Sequence, residues 1–138
     1  MAYRSYSGSD RRRFQRLNLN ITVFYRVDLP LSVRLLVGNQ EVEATMLDLS
    51  AGGMGLLTKY EIPVGTLLLI KFTLTSVNRR GEVSFYGPLE VKGEVRSNIK
   101  WENDTYRLGI SFSDIDRKNK LEIARFVQMA MTKRKVYY

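Results

Sequence analysis

The sequence predicts an all-β fold with a C-terminal helix, closed as a small antiparallel β-barrel. Three observations carry that reading. Short β-branched and aromatic segments follow one another from Asn20 to Phe112, separated by turn residues. After Phe112 the hydrophobic period changes from two to helical spacing. No repeat or linker divides the 138 residues, a length that suits one domain with its own core. A run of strands leaves edges unless it closes, which favours a barrel over an open sheet.

The elements follow in order. Residues 1–10 are rich in Ser, Gly and Tyr without periodicity and read as a mobile arm. "NITVFYRV" (20–27) reads as a strand. "LPLSVRLLVGNQEVEATMLDLS" (29–50) reads as two strands about a turn at Gly38-Asn39, with Val42, Ala44 and Met46 alternating against Glu41, Glu43 and Thr45. "SAGGMG" (50–55) is a turn, "MGLLT" a short strand and "IPVG" (62–65) another turn. "TLLLIKFTL" (66–74) is a strong strand, broken at "NRRGE" (78–82). "LEVKGEVRSNIKW" (89–101) puts Leu89, Val91, Gly93 and Val95 on one face, and "YRLGISF" (106–112) does the same for Tyr106, Leu108, Ile110 and Phe112. Ile123, Phe126, Val127, Ala130 and Met131 then form the apolar stripe of a helix, for which Ser113 or Asp114 is the expected cap. The predicted organisation is a flexible basic arm (1–16), a barrel (17–113), and a C-terminal helix with a basic tail (114–138).

Charge is unevenly placed. The chain carries a net +8; residues 1–16 hold five arginines against Asp10, and 133–135 hold three basic residues. The rest, with 14 basic and 13 acidic residues, is nearly neutral. That distribution suggests anion binding by an arm, while the C-terminal cluster reads as a solvated tail. With no His and no Cys, the commonest general base, thiolate nucleophiles and the commonest metal ligands are absent. Ser50 has no lysine nearby before Lys59, "SAGGMG" lacks the Gly-Lys-Ser/Thr of a P-loop, and no acidic cluster suggests a metal, so neither catalysis nor a cofactor is expected. The first ten residues contain no apolar signal region and no run reaches membrane-span length, which points to the cytoplasm.

Two motifs carry chemistry. Arg12 and Arg16 form R-x-x-x-R inside "RRRFQR". Some 30 residues on, Asp48, Ser50 and Gly53 form D-x-S-x-x-G in "DLSAGG". In a strand Asp48 and Ser50 project to one side, and Gly53 is expected to adopt a positive φ that turns the backbone away, leaving an open polar shelf. By itself "DLSAGG" also reads as an ordinary Asx or Ser turn. Guanidinium forks match phosphates and the guanine O6/N7 edge, and a carboxylate accepts from guanine N1–H and N2–H₂. Together the motifs suit something anionic that contains guanine.

"RRRFQR", "DLSAGGMGL" and "YRLGISF", in this order over residues 11–113, resemble the PilZ domain family. The resemblance implies a six-stranded antiparallel barrel with a C-terminal helix that binds the bacterial second messenger cyclic di-GMP. It implies ligand contacts from Arg12 and Arg16, with Arg11 as a frequent third, and from Asp48, Ser50 and Gly53. An aromatic near the late strands often packs by the ligand; Trp101 is either that residue or a core residue at the barrel end. Arg107 faces either the site or solvent, with solvent the favoured reading. A single-domain receptor of this kind needs a downstream protein partner, which the sequence does not name. The alternative is a general nucleic-acid binder with basic arms, for which Tyr3 and Tyr6 are the best stacking candidates. The nearly neutral body and the lack of clustered exposed aromatics on any strand make nucleic acid the lesser reading.

Overall fold

The structure is a computed structural model that describes residues 16–136, apart from the side chains of Phe85, Tyr86 and 132–136. Six strands and two helices follow in the order β1 (Leu17–Leu29), α1 (Leu31–Val37), β2 (Val42–Ser50), β3 (Gly53–Thr58), β4 (Leu67–Val77), β5 (Val83–Lys100), β6 (Tyr106–Asp114) and α2 (Arg117–Val136). All neighbouring strands are antiparallel, and the sheet closes in the order β1-β2-β3-β6-β5-β4. Closure matters because an open sheet of this length would expose an unpaired edge.

Period-two alternation builds the core. Val23, Tyr25 and Val27 of β1, Leu68, Ile70 and Phe72 of β4, and Leu108 and Ile110 of β6 are all buried. Each fully buried aliphatic side chain of this kind contributes about 1.5–3 kcal/mol. Tyr25 is the one phenol sealed inside this cluster, and its hydroxyl bonds to Thr58 Oγ1 at 2.7 Å. Burial pushes its pKa up to about 12, and the Thr58 bond opposes that rise. Helix α2 lays Ile123, Phe126 and Val127 over the barrel against β1, β2 and β5.

Three local expectations are corrected. Residues 31–37 form helix α1, not a strand. β1 pairs with β2 as far as Tyr25 and with β4 from Phe24 to Leu29. Pro30 has no N–H to give a ladder, whereas its fixed φ serves at a helix start. Val33 and Val37, one turn apart, supply the buried stripe. Gly38, at φ +103°, then caps the helix, and the N–H groups of Gly38 and Asn39 donate to Arg34 O at 3.0 and 3.1 Å. A left-handed Gly-Asn pair serves a hairpin and a helix C-cap equally, which is why the sequence signal misled. The second correction is the cap of α2. β6 runs on through Ser113 and Asp114, and it is Asp116 whose Oδ1 accepts from the Asn119 N–H at 2.8 Å. The 78–82 break is a hairpin turn in which Asn78 Oδ1 accepts from the Arg80 and Glu82 N–H groups. β5 begins directly after it, earlier than its alternation suggested.

Candidate functional site

The site lies on the outer wall of the barrel. Leu49 points into the core, so its neighbours Asp48 and Ser50 point outward. A register shift in the β2–β3 pairing, between Met46 and Asp48, carries the strand from one inward set to the next. On β6 the inward residues Leu108 and Ile110 leave Arg107, Gly109 and Ser111 facing the same outer side. Asp48 pairs with Gly55, and Gly55 with Gly109. Both glycines are there for space. A Cβ on Gly55 would lie 2.7 Å from Asp48 Oδ2, and one on Gly109 would lie 2.4 Å from Ser97 Oγ. These residues floor an open groove of about 530 Å³ whose rim includes Arg16, Arg96, Arg107 and Ile99.

Asp48 is the centre of charge. Its residue is only 5% exposed, yet it carries two guanidinium partners. Arg16 Nη1 donates to Oδ1 at 2.5 Å, and Arg107 Nη2 donates to Oδ2 at 3.1 Å. The arginines come from opposite directions, one from the doorstep of β1 and one from β6. Arg16 Nε is buried and has no partner among the described residues. The Arg107 guanidinium also lies 5.8 Å from the centre of the Trp101 ring, within cation–π range. Arg96 is more loosely held, 3.5 Å from Glu94. The groove can therefore offer one buried acceptor, several charge-assisted donors and a glycine floor on which a flat group can lie.

Of the motif residues, Arg16, Asp48 and Ser50 line this groove together. Arg11 and Arg12 lie outside the described residues. Ser50 is buried and engaged in its own turn: Oγ accepts from the Gly52 N–H at 3.2 Å and makes a long contact to Gly53 O at 3.4 Å. The shelf is thus less open than expected, because Asp48 is covered by guanidinia and Ser50 by backbone. Gly53 does not have a positive φ. It is required for closeness instead: a Cβ there would sit 2.0 Å from Ile110 O on β6. Trp101 is 47% exposed, which excludes the core alternative, and it borders the site through Arg107. Arg107 was expected in solvent and is instead an Asp48 partner. Its signal was present in "YRLGISF": if Tyr106, Leu108, Ile110 and Phe112 face inward, Arg107, Gly109 and Ser111 must face the wall that carries Asp48. Among the described residues, no group of three or more acidic side chains could hold a metal ion, and no helix is long and apolar enough to cross a membrane.

Fold and groove define the class: a small closed β-barrel that carries its polar site on the outer wall and closes with a helix. Comparison supplies the family. The PilZ domain model matches residues 10–129, and the chain belongs to the PilZ domain family. Among solved structures, it is similar to the Bacillus subtilis inhibitor of motility MotI/DgrA, with a TM-score of 0.67, 13% identity, and coverage of 89% of this chain and 52% of that one. The PilZ domain of Escherichia coli YcgR, solved with c-di-GMP, matches with a TM-score of 0.58 and 17% identity over 92% of this chain and 96% of that one. The K. pneumonia MrkH–c-di-GMP complex matches with a TM-score of 0.61 and 15% identity over 93% and 55%. The chain thus spans about half the length of the Bacillus protein and of MrkH. At these identities the likeness is one of fold. No curated protein matches the chain in sequence.

Proposed function

We propose that the chain is a cyclic di-GMP receptor that uses no catalysis and no cofactor. The observation that carries this reading is the Asp48 carboxylate, buried between Arg16 and Arg107 on a glycine floor. Asp48 accepts from the N1–H and N2–H₂ of one guanine. Arg16 then turns from Asp48 to a phosphate, using donors that include its buried and unpartnered Nε. Arg11 and Arg12, from the arm that precedes β1, join it there. Ser50 and Gly53 hold the β2–β3 turn so that Asp48 keeps its aim, and the exposed Trp101 ring, with Arg107 over it, flanks the ligand. Support comes from membership of the PilZ family and from neighbours of the same fold solved with c-di-GMP. On binding, the basic segment ahead of β1 (11–16) settles across the groove. The surface made by arm, ligand and barrel is read by a downstream protein in the cytoplasm.

Calorimetric titration with cyclic di-GMP tests the reading. Saturable binding is expected, with cyclic di-AMP and a generic oligonucleotide binding far more weakly at the same salt. Arg16→Ala should cost roughly 1.5–3 kcal/mol, the worth of a charge-assisted bond. Arg134→Ala, on the C-terminal cluster, should cost almost nothing. Equal losses from both variants would mean recognition of charge alone, and oligonucleotide binding as tight as that of the dinucleotide would favour the nucleic-acid alternative.

A further inference from the structure

Helix α1 presents an unpartnered apolar face at the end of the barrel away from Gly53. The strand register sets the two ends: Leu29 pairs with Leu67 at one, and Ser50 with Gly53 at the other. Val33 and Val37 turn inward against β1, while Leu29, Leu31, Leu35 and Leu36 are 52%, 52%, 68% and 82% exposed. Leu31 and Leu35 stand one helical turn apart and are neighbours on the surface, and Leu36 flanks them about 100° further around the helix. Together the four leucines expose on the order of 450 Å², a size at which apolar patches mark contact surfaces. The surroundings are uncharged as well. From Leu29 to Gln40, every exposed residue is neutral, and Arg34 is half-buried.

We propose that this face is the contact between two copies of the chain, with α1 packed on α1 about a twofold axis. Charge fixes where such a contact can form. Each copy carries a net +8, with the surplus gathered at the two termini of the chain. Two such molecules repel wherever basic surfaces meet, and the leucine face is, among the described residues, an apolar surface free of exposed charge. An acidic partner gains little here, since the cation of residues 29–40, Arg34, is half-buried. Area agrees with the choice. The leucines of both copies, with the neutral Pro30, Ser32, Asn39 and Gln40 around them, reach the roughly 1,200 Å² at which specific interfaces begin. A twofold contact is self-complementary by construction, and a patch made of one residue type satisfies it without matched pockets. In such a dimer the two Asp48 grooves lie beyond the interface and stay open.

Sedimentation analysis over a concentration series tests this directly. The wild-type chain is expected to reach twice its 16.0 kDa mass, whereas Leu35→Glu/Leu36→Glu is expected to stay at 16.0 kDa. The paired substitution should weaken association at least 100-fold. Leu35→Ser/Leu36→Ser, which adds no charge, should weaken it as well; both variants should keep the wild-type circular dichroism, because the altered side chains are mostly exposed. Added salt should tighten the wild-type dimer, since it screens repulsion between like-charged copies and leaves apolar contact intact. A wild-type chain that stays at 16.0 kDa up to its solubility limit overturns the proposal and leaves the face to a different protein or a lipid. A dimer that persists in both variants, or that dissociates in salt, overturns it too.

Discussion

Replacing Asp48 tests the site most directly, because one side chain holds two arginines. In Asp48→Ala both guanidinia lose their carboxylate. Breaking a buried ion pair costs about 3–5 kcal/mol when the remaining charge is sealed from water. Here it is not sealed: the Arg16 and Arg107 side chains are 26% and 38% exposed, so water replaces part of what is lost. Discounted for that exposure, the cost falls to roughly 1.5–2.5 kcal/mol. Asp48→Asn is instructive because both oxygens are in use as acceptors. An amide keeps one acceptor and turns an NH₂ toward the other guanidinium, so it recovers less than half of the loss. Urea unfolding reads these differences. With a slope of about 2 kcal/mol per molar, the alanine variant should unfold roughly 1 M earlier and the asparagine variant in between. Ligand titration should rank the three in the same order, with asparagine still binding measurably through its remaining acceptor. An alanine variant that unfolds at the wild-type midpoint would show that the Arg16–Asp48–Arg107 cluster contributes nothing to the fold. An alanine variant with full affinity and unchanged preference for guanine over adenine would show that Asp48 does not read the base.

Gly53→Ala should destabilise the fold by about 3 kcal/mol, because the added Cβ meets backbone at Ile110 O and the β3–β6 pair must open; a melting temperature within a degree or so of wild type would contradict this. Gly109→Ala meets only the end of the Ser97 side chain, so it should fold almost normally while lifting the groove floor and weakening cyclic di-GMP binding, as calorimetry would report. The Tyr25 phenol is raised to about 12 in the folded chain, above its ordinary value of 10.0, so the stability tied to its neutral form is complete below pH 10 and is lost as pH rises toward 12. Thermal melts in that window should fall more steeply for wild type than for Tyr25→Phe, and parallel curves would rule the phenol out as the cause. Trypsin should cut at Arg11 to Arg16 more slowly once cyclic di-GMP saturates the protein, with cleavage at Lys133 to Lys135 unchanged; undiminished cleavage of the arm in the saturated complex would end the clamp mechanism.

The barrel was legible because its signals are local and repeated. Alternation in "LEVKGEV" and "YRLGISF" is dictated by which faces are buried, and a change of period at Phe112 announces the helix whatever the tertiary contacts. The strand order and its closure are not local, and the number six entered through family resemblance rather than periodicity. Helix α1 was misread for a definite reason. "SVRLLV" has strand-like composition, and it is Pro30 at its start, the buried Val33 and Val37 one turn apart and the Gly38 cap that make it a helix. In the site, Arg16, Asp48 and Ser50 stood out as polar residues at fixed spacing, and the groove holds them together. Gly53 was singled out for its dihedral freedom, whereas the structure requires its lack of a side chain. Arg107 was read toward solvent rather than the site because one arginine in a strand looks like any exposed outer residue. Its partner is 59 positions away in sequence, a separation that no local pattern encodes.

The position of the groove explains where the positive charge has to sit. A barrel of six strands has a lumen filled by its own side chains, here Tyr25, Met46, Ile70 and their neighbours, so no dinucleotide can enter it. A site must then lie on the wall, and a wall of pleated strands is nearly flat. Gly55 and Gly109 deepen it by withholding side chains, and Arg107 raises one rim. The opposite rim cannot come from β2 or β3, because their outward residues next to the groove are Asp48, Ser50 and Gly55. It has to come from chain that enters beside Asp48. The register places that entry at Leu17 and Asn18, which pair with Leu49 and Asp48, and the residue immediately before them is Arg16. Arg16, placed just ahead of β1, therefore reaches the groove directly from the strand entry, opposite the Arg107 that β6 supplies.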